Sequence, residues 1–296
     1  MRLPDRVDLG VRPTRVFEAS ALRSGLWIKD DGASAPHYGG NKPRKLEFLL
    51  HDAPTRVATM GARGSHHALA TAVHGSRCGH EVHIVAFPRP ANKHVEAVFA
   101  ATELRAITHA ADDVFAARAL LEALEHQGMR AIPAGGSSPV GALGFIRAGQ
   151  ELIQQIEAGV CPEPRRIYIA MGTAGTIVGL SLALHHAGLA TEVRGIRVVP
   201  DDWLPRLDVE QLASDTAALV GLASAMPHID DSWLGGGYGQ PTPASIEAVN
   251  RAIGIVQLES TYTGKAMAAA CADESEGPVL FWQTHNSHSI EHLLEQ

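Results

Sequence analysis

The chain has 296 residues, 45% of them hydrophobic, with a formal net charge of −7. That length allows one large or two medium domains with real cores, and the acidic balance argues against nucleic-acid or anionic-membrane partners. Cys78, Cys161 and Cys271 are too scattered for a disulfide framework or a CxxC metal pair, Met1 to Arg15 holds no apolar signal core, and no stretch reaches transmembrane length, so the expected location is the cytoplasm.

Residues 1–38 read as mostly irregular, with one short strand at Leu26-Trp27-Ile28. In Gly39-Gly40-Asn41-Lys42-Pro43, a turn of two glycines meets an Asn able to cap and a Pro tolerated in a first helical turn. Leu46, Leu49 and Leu50 then repeat at helical spacing, so a helix is predicted to start at Lys42. A helix N-terminus favours the neutral amine, which suits a Schiff-base lysine; a solvated lysine on an amphipathic helix fits the same pattern.

An α/β series follows. Strands are predicted at Val57–Met60, Val82–Phe87, Arg105–Thr108 and Ala131–Pro133, with helices running to about His74, over Val95–Ala101 and over Asp113–His126. A second series holds a helix from Val140 to about Glu157, strands at Arg166–Met171, Val193–Val199 and Val279–Trp282, and helices to about Ala187, around Leu207–Leu222, over Pro243–Ile255 and over Gly264–Ala272. Such alternation predicts parallel sheets flanked by helices, here as two domains sharing a deep cleft.

Several stretches carry chemistry. Gly172-Thr173-Ala174-Gly175-Thr176 lies between a strand and a helix, where a nest of N–H groups and a helix N-terminus suit a lone phosphate. A ligand-free turn has the same composition, and neither the Walker nor the dinucleotide pattern is present. Ser65 and His66 occupy the equivalent turn of the first series, where Ser65 reads either as an anion donor or as a simple N-cap. Tyr238 and Tyr262 could stack on a ring or move protons, or simply be part-buried. The 16 histidines match no metal-ligand spacing, and no metal site is expected.

Taken together these segments resemble the D-cysteine desulfhydrase / 1-aminocyclopropane-1-carboxylate (ACC) deaminase family. GGNKPRKLEFLL is similar to its GGNKxRKLEFL, PAGGSSPVGALGFIRAG to its IPxGGSxPLGALGYxRA, GTAGT to its GSGGT phosphate loop, GYGQP to its RYGxP, and TYTGKAM to its VYTGKAM, in the same order along the chain. The resemblance implies a two-domain α/β fold of the tryptophan synthase β type (fold type II), with 46–134 as the smaller domain and 1–45 with 135–296 as the larger. It implies a cytoplasmic, homodimeric lyase using pyridoxal 5′-phosphate (PLP) on a small amino acid.

In that scheme Lys42 holds PLP and exchanges the substrate α-proton, and Ser65 meets the substrate carboxylate. Gly172, Thr173, Ala174, Gly175 and Thr176 hold the phosphate, Tyr238 and Tyr262 line the substrate side, and Asn41, His66 and Thr263 lie against the cofactor. Thr284 donates to the pyridine nitrogen. Thr263, where ACC deaminases of the family carry Glu, favours β-elimination from D-cysteine. A sister lyase acting on a substrate such as cysteate, an ACC deaminase, and a non-catalytic PLP-binding homologue are the alternatives. Two departures stand out: His66 replaces the family's Asn, and Gln283-Thr284-His285-Asn286 replaces HTGG.

Overall fold

A computed structural model describes residues 3–295, so Met1, Arg2 and Gln296 of the expected larger domain lie outside the described residues. Strands β1 (Val16–Glu18) and β2 (Leu26–Asp30) precede helix α1 (Lys42–Leu49). Next come β3 (Arg56–Ala62), α2 (His66–Arg77), β4 (Glu81–Phe87), α3 (Lys93–Glu103), β5 (Ile107–Ala110), α4 (Val114–His126) and β6 (Arg130–Ile132). After a 3₁₀ turn at Ala134–Gly136 the chain continues through α5 (Pro139–Glu157), β7 (Arg166–Met171), α6 (Gly175–His186) and β8 (Glu192–Arg197). It ends with α7 (Arg206–Leu219), β9 (His228–Asp230), α8 (Pro243–Arg251), α9 (Thr263–Cys271), β10 (Val279–Gln283) and α10 (Glu291–Leu294).

Two sheets result. Strands β3 to β6 make a four-stranded parallel sheet in the order β5-β4-β3-β6, all within 46–134. The other six form a sheet ordered β1-β2-β10-β7-β8-β9, parallel except for the β1–β2 edge. The region expected to be irregular therefore contains an extra edge strand, β1, and β5 lies two residues later than Arg105–Thr108. Edge strands of three or four residues carry too little alternation to announce themselves.

Local chemistry sets the element ends. Asp113 caps α4 by accepting from the Phe115 and Ala116 N–H groups at 2.8 Å, and Thr242 with Ser245 forms a capping box on α8. Helix α6 has no polar stripe, since Gly175 through Leu184 are all buried, and it packs within the large core with α5 and β7.

Helix α1 joins the two sheets. Leu46, Leu49 and Leu50 pack with Val57, Leu69 and Val82 of the four-stranded side, while Phe48 belongs to the core that holds Phe145 and Trp282. A Cβ on Gly144 of α5 would stand 2.1 Å from the Arg44 carbonyl oxygen, so only glycine permits this helix contact. The Arg44 guanidinium, itself buried, donates to Asp31 at 2.7 and 2.9 Å and to Glu151 at 2.9 Å. Asp31 also accepts from Thr14 Oγ1 and Trp282 Nε1, each at 2.8 Å, and Lys29 pairs with Glu151. These bonds clamp α1 to β2 and β10.

Candidate active site

Parallel strands deliver their C-terminal ends to one rim, where ligands of open α/β sheets bind. Here β3 ends before Ser65, β7 runs into Gly172–Ala174 and β10 runs into Thr284. Together with the start of α1, these turns line one cavity of about 690 Å³. Every residue proposed from sequence except Gly175 lines it: Asn41, Lys42, Ser65, His66, Gly172, Thr173, Ala174, Thr176, Tyr238, Tyr262, Thr263 and Thr284. Gly175 lies just behind, its N–H donating to Ser137 Oγ at 3.1 Å.

Lys42 is the first residue of α1. Burial lowers its pKa from 10.5 to about 8, against an opposing pull from the Glu259 carboxylate. Desolvation is therefore the main cause, where the sequence had pointed to the helix terminus. Lys42 Nζ donates to Asn41 Oδ1 at 2.7 Å. Asn41 does not cap the helix with its side chain, in contrast to the expectation: its backbone is α-helical, at φ −77° and ψ −13°. Its side chain is already committed, with Nδ2 donating to Thr176 Oγ1 at 3.1 Å, and its own N–H goes to the Thr284 carbonyl at 3.1 Å. Asn41 thus ties the lysine to both the β7 and β10 turns.

The Gly172–Thr176 loop forms a concave donor surface. Ala174 sits at φ 63°, in the left-handed region, ahead of the right-handed turn of α6. Such an αL–αR sequence turns successive N–H groups inward, and the first turn of α6 leaves the Thr176 and Ile177 N–H groups without intrahelical partners. Behind the loop, Ser137 Oγ bonds Thr173 Oγ1 at 2.7 Å, and Lys45 Nζ reaches Ser137 Oγ at 3.3 Å and the Gly135 carbonyl at 3.0 Å. A Cβ on Gly135, at φ 65°, would lie 2.1 Å from Thr173 Oγ1. The surface fits a phosphate. Burial lowers the Lys45 pKa well below 10.5 as well, but its Nζ is turned to the Gly135 and Ser137 oxygens behind the loop.

Ser65 plays the structural part foreseen as one of its options: it caps α2, accepting from the Ala68 N–H at 3.3 Å while lining the cavity. His66 is held by Tyr38 at Nδ1 and lies 3.0 Å from His94 at Nε2. Burial holds the Tyr38 pKa well above its usual value and the His66 pKa well below. A protonated Tyr38 hydroxyl then donates to Nδ1, which leaves the His66 proton on Nε2. The His285 ring stands edge-on to His66 with centroids 4.8 Å apart.

Tyr262 donates to Tyr238 at 3.0 Å, and burial raises the Tyr262 pKa well above 10. Thr263 Oγ1 accepts from the Glu259 N–H at 2.9 Å, so its hydroxyl serves the turn into α9. Glu259, which sequence reasoning missed, accepts from the Thr261, Tyr262 and Thr263 N–H groups at 2.8 Å, as a carboxylate at a helix start does. Its position three residues before Tyr262 was the available signal. Asn286, one of the two unusual residues after Thr284, accepts from the Gly39 N–H at 2.8 Å and so secures the turn ahead of Lys42. Tyr38, His94 and Arg89 also went unnoticed, and nothing local in the sequence marks them.

Comparison with known proteins agrees with this geometry. The family model described as "Pyridoxal-phosphate dependent enzyme" matches residues 7–283. D-cysteine desulfhydrases of Salmonella typhi and Salmonella newport (strain SL254) are each 32% identical over 294 aligned residues, covering 90% of this chain and 88% of theirs. The crystal structure of an ACC deaminase homologue superposes with a TM-score of 0.84 at 27% identity, covering 98% of this chain and 96% of that one. Threonine deaminase isoform 2 of Solanum lycopersicum shares the fold, with a TM-score of 0.67 at 15% identity, covering 96% of this chain and 84% of that one.

Proposed function

Because this chain belongs to the family of pyridoxal-phosphate dependent enzymes, and within it to the D-cysteine desulfhydrase / ACC deaminase group, we propose that it catalyses α,β-elimination on a small β-substituted amino acid. D-Cysteine is the first substrate on resemblance, and with one water it yields pyruvate, sulfide and ammonia. The observation that carries the reading is Lys42: a buried amine with its pKa at about 8, set between the Gly172–Thr176 cradle and the Ser65 turn.

The residues present suit the cofactor. The Gly172–Thr176 loop would hold its phosphate, Lys42 its aldehyde carbon and Thr284 its ring nitrogen, with Asn41, His66 and Thr263 along its edge. When bound, PLP supplies an electron sink conjugated to the substrate α carbon. The α2 N-terminus at Ser65 binds the substrate carboxylate, and Lys42 Nζ removes the α-proton and can return one. Tyr262 and Tyr238 face the β substituent; Tyr262 gives its hydroxyl proton to Tyr238, which leaves the Tyr238 hydroxyl to donate to the departing group. The released unsaturated amine hydrolyses to keto acid and ammonia.

ACC deamination is the second reading, favoured by Glu259, whose Oε1 lies 3.2 Å from Thr263 Oγ1. That carboxylate is committed to three backbone N–H groups, which supports placing elimination first. Residues 46–134 as the smaller domain, a homodimer and a cytoplasmic location belong to the same proposal, and the three unpaired cysteines support a reducing compartment.

The test is a coloured holoprotein and a keto-acid assay over D- and L-β-substituted amino acids and ACC. Lys42→Ala is expected to abolish both the lysine-bound cofactor band and turnover. A holoprotein that keeps its colour but turns over none of these amino acids would show that it binds the cofactor without catalysis.

A further inference from the structure

Next to the tyrosine pair the cavity is lined by a cation. Arg89 follows β4 and lines the cavity, its guanidinium carbon 5.5 Å from the centre of the Tyr238 ring. Its Nε is buried with no hydrogen-bond partner, and among the described residues no carboxylate pairs with it. Several other part-buried or buried arginines have one: Arg44 has Asp31 and Glu151, Arg147 has Glu47, Arg166 has Asp273, and Arg197 has Asp231, while the part-buried Arg23 and Arg105 bond backbone carbonyls instead. Glu259 lines the same cavity, but its oxygens are taken up by the turn into α9. Arg89 as a whole is part-buried, but a buried Nε without a partner is costly unless an acceptor completes it, and the planar fork of a guanidinium matches sulfonate, phosphate and carboxylate oxygens.

Contacts separate this cation from the phosphate cradle. Gly172 of the phosphate cradle packs under Tyr262, Tyr262 bonds Tyr238, and Arg89 lies over the Tyr238 ring. The guanidinium is therefore on the far side of the tyrosine pair from the phosphate cradle. The substrate carboxylate already has the α2 N-terminus. Alongside, His66, His94 and His285 form a wall, with ring centroids 4.8 Å (His66–His285) and 5.2 Å (His66–His94) apart; the His66 Nε2–H is spent on His94, so an imidazole N–H for an anion comes from His94 or His285, without adding a full charge.

We propose that Arg89 seats a second anionic group on the substrate side chain, at or next to the β position. The inference rests on the elimination reading and changes its choice of substrate, placing an amino acid with a sulfonate, sulfate-ester, phosphate or carboxylate side chain ahead of one with a neutral thiol.

The experiment compares holoenzyme with Arg89→Gln and Arg89→Lys on cysteate, serine O-sulfate and O-phosphoserine against cysteine and β-chloroalanine, both enantiomers, by keto-acid release. Calorimetric titration with the same compounds reads binding whether or not turnover occurs. For wild type, higher kcat/KM or tighter binding is expected for the anionic set. Charge-assisted bonds of this kind predict that R89Q weakens KM or Kd for the anionic set by about 10- to 100-fold more than for the neutral set. R89K should recover part of that difference. Equal losses for both sets would assign Arg89 to the α-carboxylate and overturn the proposal, as would a wild-type preference for the neutral set that R89Q leaves in place. Failure of the elimination reading looks different: no keto acid from any compound, with the binding difference still deciding the role of Arg89.

Discussion

Replacing Glu151 by Gln tests how the lysine helix is anchored. Burial alone would raise the pKa of this carboxyl, yet the Arg44 charge and hydrogen bond, with Lys29 adding to both, leave it at about 2 against an ordinary 4.5. The side chain is 12% exposed, so little solvent screening applies. A gap of about 2.5 units is worth about 3 kcal/mol at 1.36 kcal/mol per unit. A depressed carboxyl stabilises the fold fully above its unfolded pKa, and that stability drains away as pH falls toward the folded one. About 1 kcal/mol should be gone by pH 4 and about 2 kcal/mol by pH 3. Lys29 works the other way, since burial lowers its pKa, so the pH dependence isolates Glu151 better than a total stability does. Urea unfolding of wild type and E151Q, followed by circular dichroism, should show a gap of about 3 kcal/mol at pH 7 that narrows on acidification. A gap constant between pH 7 and pH 3, or one under about 1 kcal/mol at pH 7, would refute the reasoning.

Two further outcomes follow from the cavity. With its pKa at about 8, roughly a tenth of Lys42 is neutral at pH 7, against about one part in 3,000 for an ordinary lysine. The rate at which apoprotein takes up PLP should therefore rise with a midpoint near pH 8, and Glu259→Gln should move that midpoint down; a midpoint near 10 would show the amine to be solvated. Gly135→Ala places a methyl 2.1 Å from Thr173 Oγ1 and should weaken cofactor binding about tenfold or more in equilibrium dialysis. Gly128→Ala, also at positive φ but with nothing within 4 Å, is the matched control and should leave that affinity alone; equal affinities for both variants would free the 3₁₀ turn of any role in shaping the phosphate loop.

Long apolar strands, capped helices and the Gly-rich turn after β7 were legible in the chain because their signals are local. The helix start at Lys42 was legible for the same reason, although the cause of its low pKa was not: burial depends on what the rest of the chain places around it. Asn41 shows the limit clearly. A side chain typical of a cap instead bridges Lys42 and Thr176, a partner 135 residues away. The histidine wall draws on three separate segments, and Glu259 and Arg89 became visible only when the turns beyond β4 and before α9 were brought together. Strands β1 and β9, three residues each at the sheet edges, were too short to show a period.

Helix α1 leaves almost no position free: every residue from Pro43 to Leu49 is buried, including Arg44, Lys45 and Glu47. One face enters the four-stranded core, another is clamped by Asp31 and Glu151, and Lys45 bonds Gly135 and Ser137 behind the Gly172–Thr176 loop. Arg89 and His285 hang instead from connections outside this helix, and His94 stands in the first turn of α3. Substitution therefore has unequal room: the helix that begins at Lys42 is confined on every side, while the cavity wall beyond it can be rebuilt residue by residue. New specificities can arise there without disturbing the helix beneath the chemistry.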